Sequence, residues 1–272
     1  MKVEPITSLT NSRVKAAVRL RDRREREATG LTIVDGAREI LRALDAGIRV
    51  ETAFLAEDLL RTPDAFAAAD RLRHRPTTIP VSPAVLAKVA FGERSDGIVA
   101  IIESPRRDLA DLVLPDDPLI VIIEGVEKPG NLGAVLRTAD GAGVHAVIAA
   151  DPRTDLFNPN AIRASLGTIF VLPVVAATTS ETMAWLTKGG IRVVATIVDA
   201  TTDYADADLR GPLAIVLGSE ADGLSPAWHG PGVTPISIPM RGIADSLNVS
   251  IAAAVVLYEA VRQRHAPSNE GH

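Results

Sequence analysis

Three polar turns, each following an apolar run, hold the residue types from which chemistry could be built: EGVEKPGNLG (124–133), GSEADG (218–223) and PMRGIADSLN (239–248). They offer amides, hydroxyls, carboxylates and, one helical stretch on, a guanidinium. The chain has no cysteine, which excludes disulfides, thiolate metal sites, iron-sulfur clusters and thiol nucleophiles. Its five histidines, at 74, 145, 229, 265 and 272, form no ligand spacing, and no metal site is expected. The dinucleotide glycine pattern, the phosphate loop ending in GK[ST], GxSxG and HExxH are all missing. Chemistry must therefore come from oxygen and guanidinium groups at the turns.

In the first turn, Asn131 and Arg137 are six residues apart on one helical segment, within about 120° around its axis. Asn131 reads either as a helix cap or as a site residue, with Arg137 either a solvent-facing surface residue or part of the same site. In the second, Gly218 and Gly223 flank Ser219 and Glu220, and glycine lets backbone approach a ligand or take positive φ. A tight connection with a solvated glutamate is the plainer alternative. In the third, Ser246 and Asn248 precede a run of small apolar residues, Ser250 to Val256, which reads as a closely packed helix. Either residue could cap that helix, but polar groups beside so apolar a segment need partners if buried.

The elements that must position these turns follow a βα rhythm. Residues 1–110 alternate short apolar runs (LTIV, VETAFLA, TTIPV, GIVAII) with amphipathic segments, which predicts a small α/β domain. ESPRRDLADLVLPDDP, with prolines at 105, 115 and 118, breaks the rhythm and reads as a linker. From 111 to 272, near-continuous Ile/Val/Leu runs alternate with helices, ending in a long helix from about Leu247 to Arg264; this predicts a mostly parallel sheet covered on both faces. Ligands bind such sheets beyond the carboxyl ends of the strands, where the three turns lie. No apolar run approaches a membrane span and no signal core follows the basic start, so a cytoplasmic protein without membrane contact is expected.

The net charge of −5 hides an asymmetry. Residues 1–110 hold 19 basic against 16 acidic groups, and residues 111–272 hold 10 against 18. Arg13, Lys15, Arg19, Arg21, Arg23, Arg24 and Arg26 crowd one short stretch. Asp22, Glu25 and Glu27 partly neutralise it, so it reads either as a salt-bridged helix face or as a phosphate-contacting surface. No aromatic residue interleaves it, so base stacking is not signalled.

Together and in this order, NLGAVLRTADGAG, IVLGSEADGLS and ISIPMRGIADSLNVSIAAAVVLYEA resemble the three motifs of the SpoU/TrmH family of RNA 2′-O-ribose methyltransferases, within the SPOUT class. The likeness covers residues 119–264. The region from ITSLTNSRVK through VDGAREILRAL to FGERSDGIVAII is similar to the ribosomal-protein-like substrate-binding extension of rRNA-modifying members.

The resemblance implies a trefoil-knotted C-terminal domain, S-adenosylmethionine as cofactor, a structured RNA substrate and a homodimer whose active site borders the interface. It assigns Asn131, Arg137, Glu220, Ser246 and Asn248 to catalysis, with Arg137 at the ribose 2′-hydroxyl. It assigns Leu217, Gly218, Ile238, Met240 and Leu247 to the cofactor. A guanidinium is a poor proton acceptor, so Arg137 is expected to orient the ribose-phosphate and stabilise developing alkoxide charge, with the final base open. No metal is called for, because a sulfonium is already an activated methyl donor. The extension favours 23S rRNA over tRNA, and the basic stretch 13–26 is expected to supply phosphate contacts. A noncatalytic RNA-binding protein of the same fold is the rival from another class.

Overall fold

The computed structural model describes residues 4–92, 96–219 and 221–266. By their contacts they divide into two units: the chain up to Pro105 with Phe157–Val171, and Arg106–Leu156 with the chain from Leu172 onward.

In the first unit, α1 (Ser12–Arg19) and α2 (Arg23–Thr29) lead into β1 (Leu31–Asp35), α3 (Ala37–Asp45), β2 (Val50–Leu55), α4 (Pro63–Leu72), β3 (Thr78–Pro80), α5 (Pro83–Val89) and β4 (Ile98–Glu103). The helix starts are local chemistry. Side-chain oxygens of Asn11, Asp22, Thr62 and Ser82 accept from backbone N–H groups at the starts of α1, α2, α4 and α5, and α4 and α5 each begin with proline. The strand order is β1-β4-β2-β3, with β4 antiparallel to both neighbours and β2 parallel to β3. Phe54, Ile33, Leu86 and Val99 are among its fully buried core residues.

The second unit contains β5 (Leu119–Glu124), α6 (Pro129–Gly141) and β6 (Ala146–Ala150). After α7 (Pro159–Ala164) it resumes with β7 (Val174–Ala177), α8 (Thr179–Lys188), β8 (Arg192–Thr196), β9 (Leu213–Leu217), β10 (Val233–Ile236) and α9 (Val249–His265). The six strands are all parallel, in the order β10-β8-β9-β5-β6-β7. Every residue of β5, β6 and β9 is buried, which is why these strands read as unbroken apolar runs. The chain winds outward from β5 to β7 and then crosses to the far side, so the strand order reverses between β5 and β9. In open parallel sheets that reversal opens the ligand crevice at the carboxyl ends.

Two expectations need correction. The stretch taken as a linker is largely docked: Leu109, Leu112 and Leu114 pack against the core of the second unit, and the contact boundary falls at Pro105 rather than 110. Residues 157–171, expected in the C-terminal domain, complete the first unit instead. Thr32 Oγ1 donates to the Phe157 carbonyl (2.7 Å), Arg42 to that of Leu166 (2.6 Å), and Arg163 pairs with buried Asp35 at 3.2 Å. These partners lie some 125 residues apart in the chain, beyond the reach of any local pattern.

Candidate active site

β9 ends at Leu217, and the turn after it is forced by packing. A Cβ on Gly218 would lie 2.4 Å from the Gly223 carbonyl carbon and 2.7 Å from the Leu224 nitrogen, so only glycine lets the loop double back here. Ser219 and Gly223 exchange backbone hydrogen bonds of 3.1 Å, and Ser219 Oγ accepts from the Asp222 N–H at 3.0 Å. Beside this loop lies a cavity of about 410 Å³ formed at the carboxyl ends of β8, β9 and β10. Leu217, Gly218, Ile238, Met240 and Leu247 all line it, as does Ser246. Its walls are mainly apolar; Thr196 and Ser237 add hydroxyls, and Asp245 is the charged side chain among its described lining residues.

A second cavity of about 190 Å³ shares Gly218, Ser219 and Val249 with the first and is bounded on its other side by Glu127, Lys128 and Asn131. Asn131 does not cap α6, as the sequence allowed; the residue before the helix is Lys128, and Pro129 takes the first helical position. The Asn131 amide is free to face the third turn, and its Oδ1 accepts from Asn248 Nδ2 at 3.4 Å. Asn248 does cap α9, its Oδ1 accepting from the Ser250 N–H at 2.9 Å and the Ser250 hydroxyl at 2.6 Å. Thus the first and third turns meet beside the second cavity, with the second turn as the wall between the two. Arg137 stands apart: it is exposed on α6 and lines neither cavity. Glu220 lies outside the described residues, between Ser219 and Ala221, which line the second cavity.

Two polar groups that sequence reasoning missed tie the turns together. Glu124 at the end of β5 accepts from Ser225, which closes the second turn. Arg153 pairs with Glu127 of the first turn and, at 2.8 Å, with Asp222 of the second. Its guanidinium pKa is raised, by the hydrogen bond to Glu127 first and that to Asp222 next. A carboxylate closing the apolar run LIVIIE was the signal for Glu124; nothing in the sequence marked Arg153.

In the first unit the basic stretch divides by exposure. Arg13, Lys15 and Arg24 are exposed; Arg19 and Arg23, also exposed, pair with Glu25 and Glu27. Arg21 donates to the carbonyls of Lys88 and Ala90. Arg26 is a correction to the expected phosphate contacts: it is 4% exposed, and its guanidinium is spent on the carbonyls of Leu20 and Arg21. No helix among the described residues is long and apolar enough to cross a membrane.

This arrangement of turns on a parallel sheet matches a known family in sequence as well. A profile described as the SpoU rRNA Methylase family matches residues 118–258. The chain belongs to this family. A second profile, the MRM3-like substrate binding domain, matches residues 11–100. Membership makes the protein an RNA methyltransferase with the trefoil-knotted SPOUT catalytic domain. Among curated relatives, the 23S rRNA (uridine(2479)-2′-O)-methyltransferase of Streptomyces viridochromogenes is 34% identical over 254 residues, covering 90% of this chain and 87% of its own. The 23S rRNA (guanosine-2′-O-)-methyltransferase RlmB of Ralstonia nicotianae is 38% identical over 191 residues, covering 68% and 77%. Among solved structures, the AdoMet-bound rRNA methyltransferase from Sinorhizobium meliloti is 30% identical, with a TM-score of 0.86 over 98% of this chain and all of its own.

Proposed function

We propose that the protein transfers the methyl group of S-adenosylmethionine to a ribose 2′-oxygen of 23S rRNA. The observation that carries this reading is the pair of adjoining cavities, which share Gly218, Ser219 and Val249, with the Asn131–Asn248 contact beside them. The larger cavity falls within the roughly 300–1,000 Å³ usual for small-molecule sites. Its apolar walls suit an adenine ring, its hydroxyls a ribose, and Asp245 a cationic group. When bound, the cofactor supplies a methyl already activated by a positive sulfonium.

The chain's own residues hold the acceptor. Asn131, Asn248 and Ser246 orient the target ribose so that its 2′-oxygen meets the methyl donor at the mouth of the larger cavity, past the edge of Gly218 and Ser219. Arg137, a permanent cation, stabilises the charge that grows on that oxygen as its proton leaves. Glu220 helps to organise the catalytic site. The protein works as a homodimer: Ile251 and Tyr258 leave α9 half-exposed, and the Tyr258 hydroxyl sits against Gly141, one helical turn from Arg137. A second copy covering that face would set the Arg137 of one chain beside the acceptor held by the other. Arg13, Lys15 and Arg24, with Arg19 and Arg23, supply phosphate contacts. 23S rRNA is favoured over tRNA because the Streptomyces viridochromogenes relative, matched over 90% of this chain, is a 23S rRNA methyltransferase and because residues 11–100 match a substrate-binding domain.

The test is transfer of labelled methyl to 23S rRNA, 16S rRNA and a tRNA pool, with Arg137→Ala alongside. Label in 23S rRNA alone, lost in the variant while cofactor affinity is kept, is expected. Label in tRNA alone would overturn the substrate, and absence of cofactor binding would overturn the activity.

A further inference from the structure

Glu124 closes a strand otherwise made of Leu, Ile and Val, and it is 7% exposed. A carboxylate withdrawn from water is costly unless its oxygens are hydrogen-bonded. Here Oε1 accepts from Thr179 Oγ1 (2.7 Å) and Ser225 Oγ (2.8 Å), and Oε2 accepts from the Ser225 N–H (2.7 Å). The strand that leads into the first turn thereby grips the far end of the second. The near end is fixed by β9, so the second turn is held at both ends, at Leu217–Gly218 and at Ser225. Within this turn lie Gly218 and Ser219, the wall shared by the two cavities, and Ala221. Glu124 itself lines neither cavity.

We infer that Glu124 is a positioning residue: through Ser225 it sets the place of loop 218–225 and thereby the cofactor affinity of a site it does not touch. The inference rests on the proposed methyl transfer. Trp228 provides a reporter, because it is fully buried three residues beyond Ser225 and the only other tryptophan is Trp185.

The experiment compares Glu124→Gln with Glu124→Met, each in a Trp185→Phe background, by calorimetry with S-adenosylmethionine, by Trp228 emission without cofactor, and by RNA affinity. The amide oxygen of Gln can still accept from the Ser225 N–H while the two hydroxyls turn to accept from its NH₂, so that variant is expected to bind cofactor within about threefold of its parent. Met offers no acceptor; the expected result is a loss of about tenfold or more in cofactor affinity and a shifted Trp228 emission, with RNA affinity within about twofold. Parental cofactor affinity in Glu124→Met, or equal losses in the two variants, would overturn the inference. If Glu124→Met does not fold, Ser225→Ala removes one of the three bonds; roughly threefold weaker cofactor binding is expected, and parental affinity overturns the inference. If the parent itself binds no S-adenosylmethionine, the functional reading fails instead, while an unshifted Trp228 emission in Glu124→Met would still count against the tether.

Discussion

Gly218→Ala tests the geometry of the site through a single added carbon. The new Cβ would stand 2.4 Å from Gly223 C, 2.6 Å from Gly223 O and 2.7 Å from Leu224 N, whereas ordinary contact begins at 3.4 Å. All three atoms are backbone, so no side chain can rotate away and the loop must retreat by roughly 1 Å. Overpacking of this kind costs about 1–3 kcal/mol. If the cost falls on the conformation that binds cofactor, the Kd for S-adenosylmethionine rises about 5- to 150-fold. Calorimetry reads this directly, with Gly130→Ala and Gly242→Ala as controls, since a Cβ at either position meets nothing within 4 Å. The controls should bind as the parent does. Parental cofactor affinity in Gly218→Ala, with unchanged thermal stability, would refute the claim that this loop walls the cofactor site.

Asn248→Ala removes the α9 cap, costing about 1 kcal/mol of stability, and also the partner of Asn131. Single-turnover methyl transfer should slow about tenfold or more with cofactor affinity nearly kept. Arg26→Ala should destabilise the fold by about 1–3 kcal/mol in urea melts, because two carbonyls lose a buried donor. Arg13→Ala and Lys15→Ala should leave stability within about 0.5 kcal/mol yet each lower the salt slope of RNA binding by about one. Asp35 has a raised pKa, chiefly through burial, opposed by the Gly92 N–H, Arg163 and the Phe91 N–H. Its contribution to stability is therefore full below the ordinary aspartate value of 3.8 and is lost as pH rises through the raised folded value. Urea melts across pH should show the wild-type advantage over Asp35→Asn shrinking as pH rises; an advantage that grew would refute the assignment.

The centre of the catalytic sheet was legible because its strands bury both faces: LIVIIE, AVIAA and LAIVL, spaced between helical segments, read as buried parallel strands, whereas the outer strands β7, β8 and β10 expose part of their length. Motif order placed Leu217, Gly218, Ile238, Met240, Ser246 and Leu247, all of which line one cavity. Roles that depend on what a side chain meets in space were not legible. The charge pattern around Arg26 is the same whether the guanidinium faces solvent or turns inward to carbonyls. The excursion 157–171 looked like one more βα connection, because its contacts to Thr32, Asp35 and Arg42 are long-range. Arg153 bridges two turns that come from different strands, a relation no local window contains. Only the structure could remove the cap reading of Asn131, since Lys128 precedes the helix and Pro129 already starts it.

The identity of the atom that receives the methyl group distinguishes ribose from base methylation. Labelled product from 23S rRNA should be digested with alkali, which cleaves the backbone only next to a free 2′-hydroxyl. The label should be recovered in an alkali-resistant dinucleotide at one position of 23S rRNA, and Asn131→Ala and Arg137→Ala should abolish it. Label recovered in alkali-sensitive mononucleotides would place the methyl on a base and rule out 2′-O transfer.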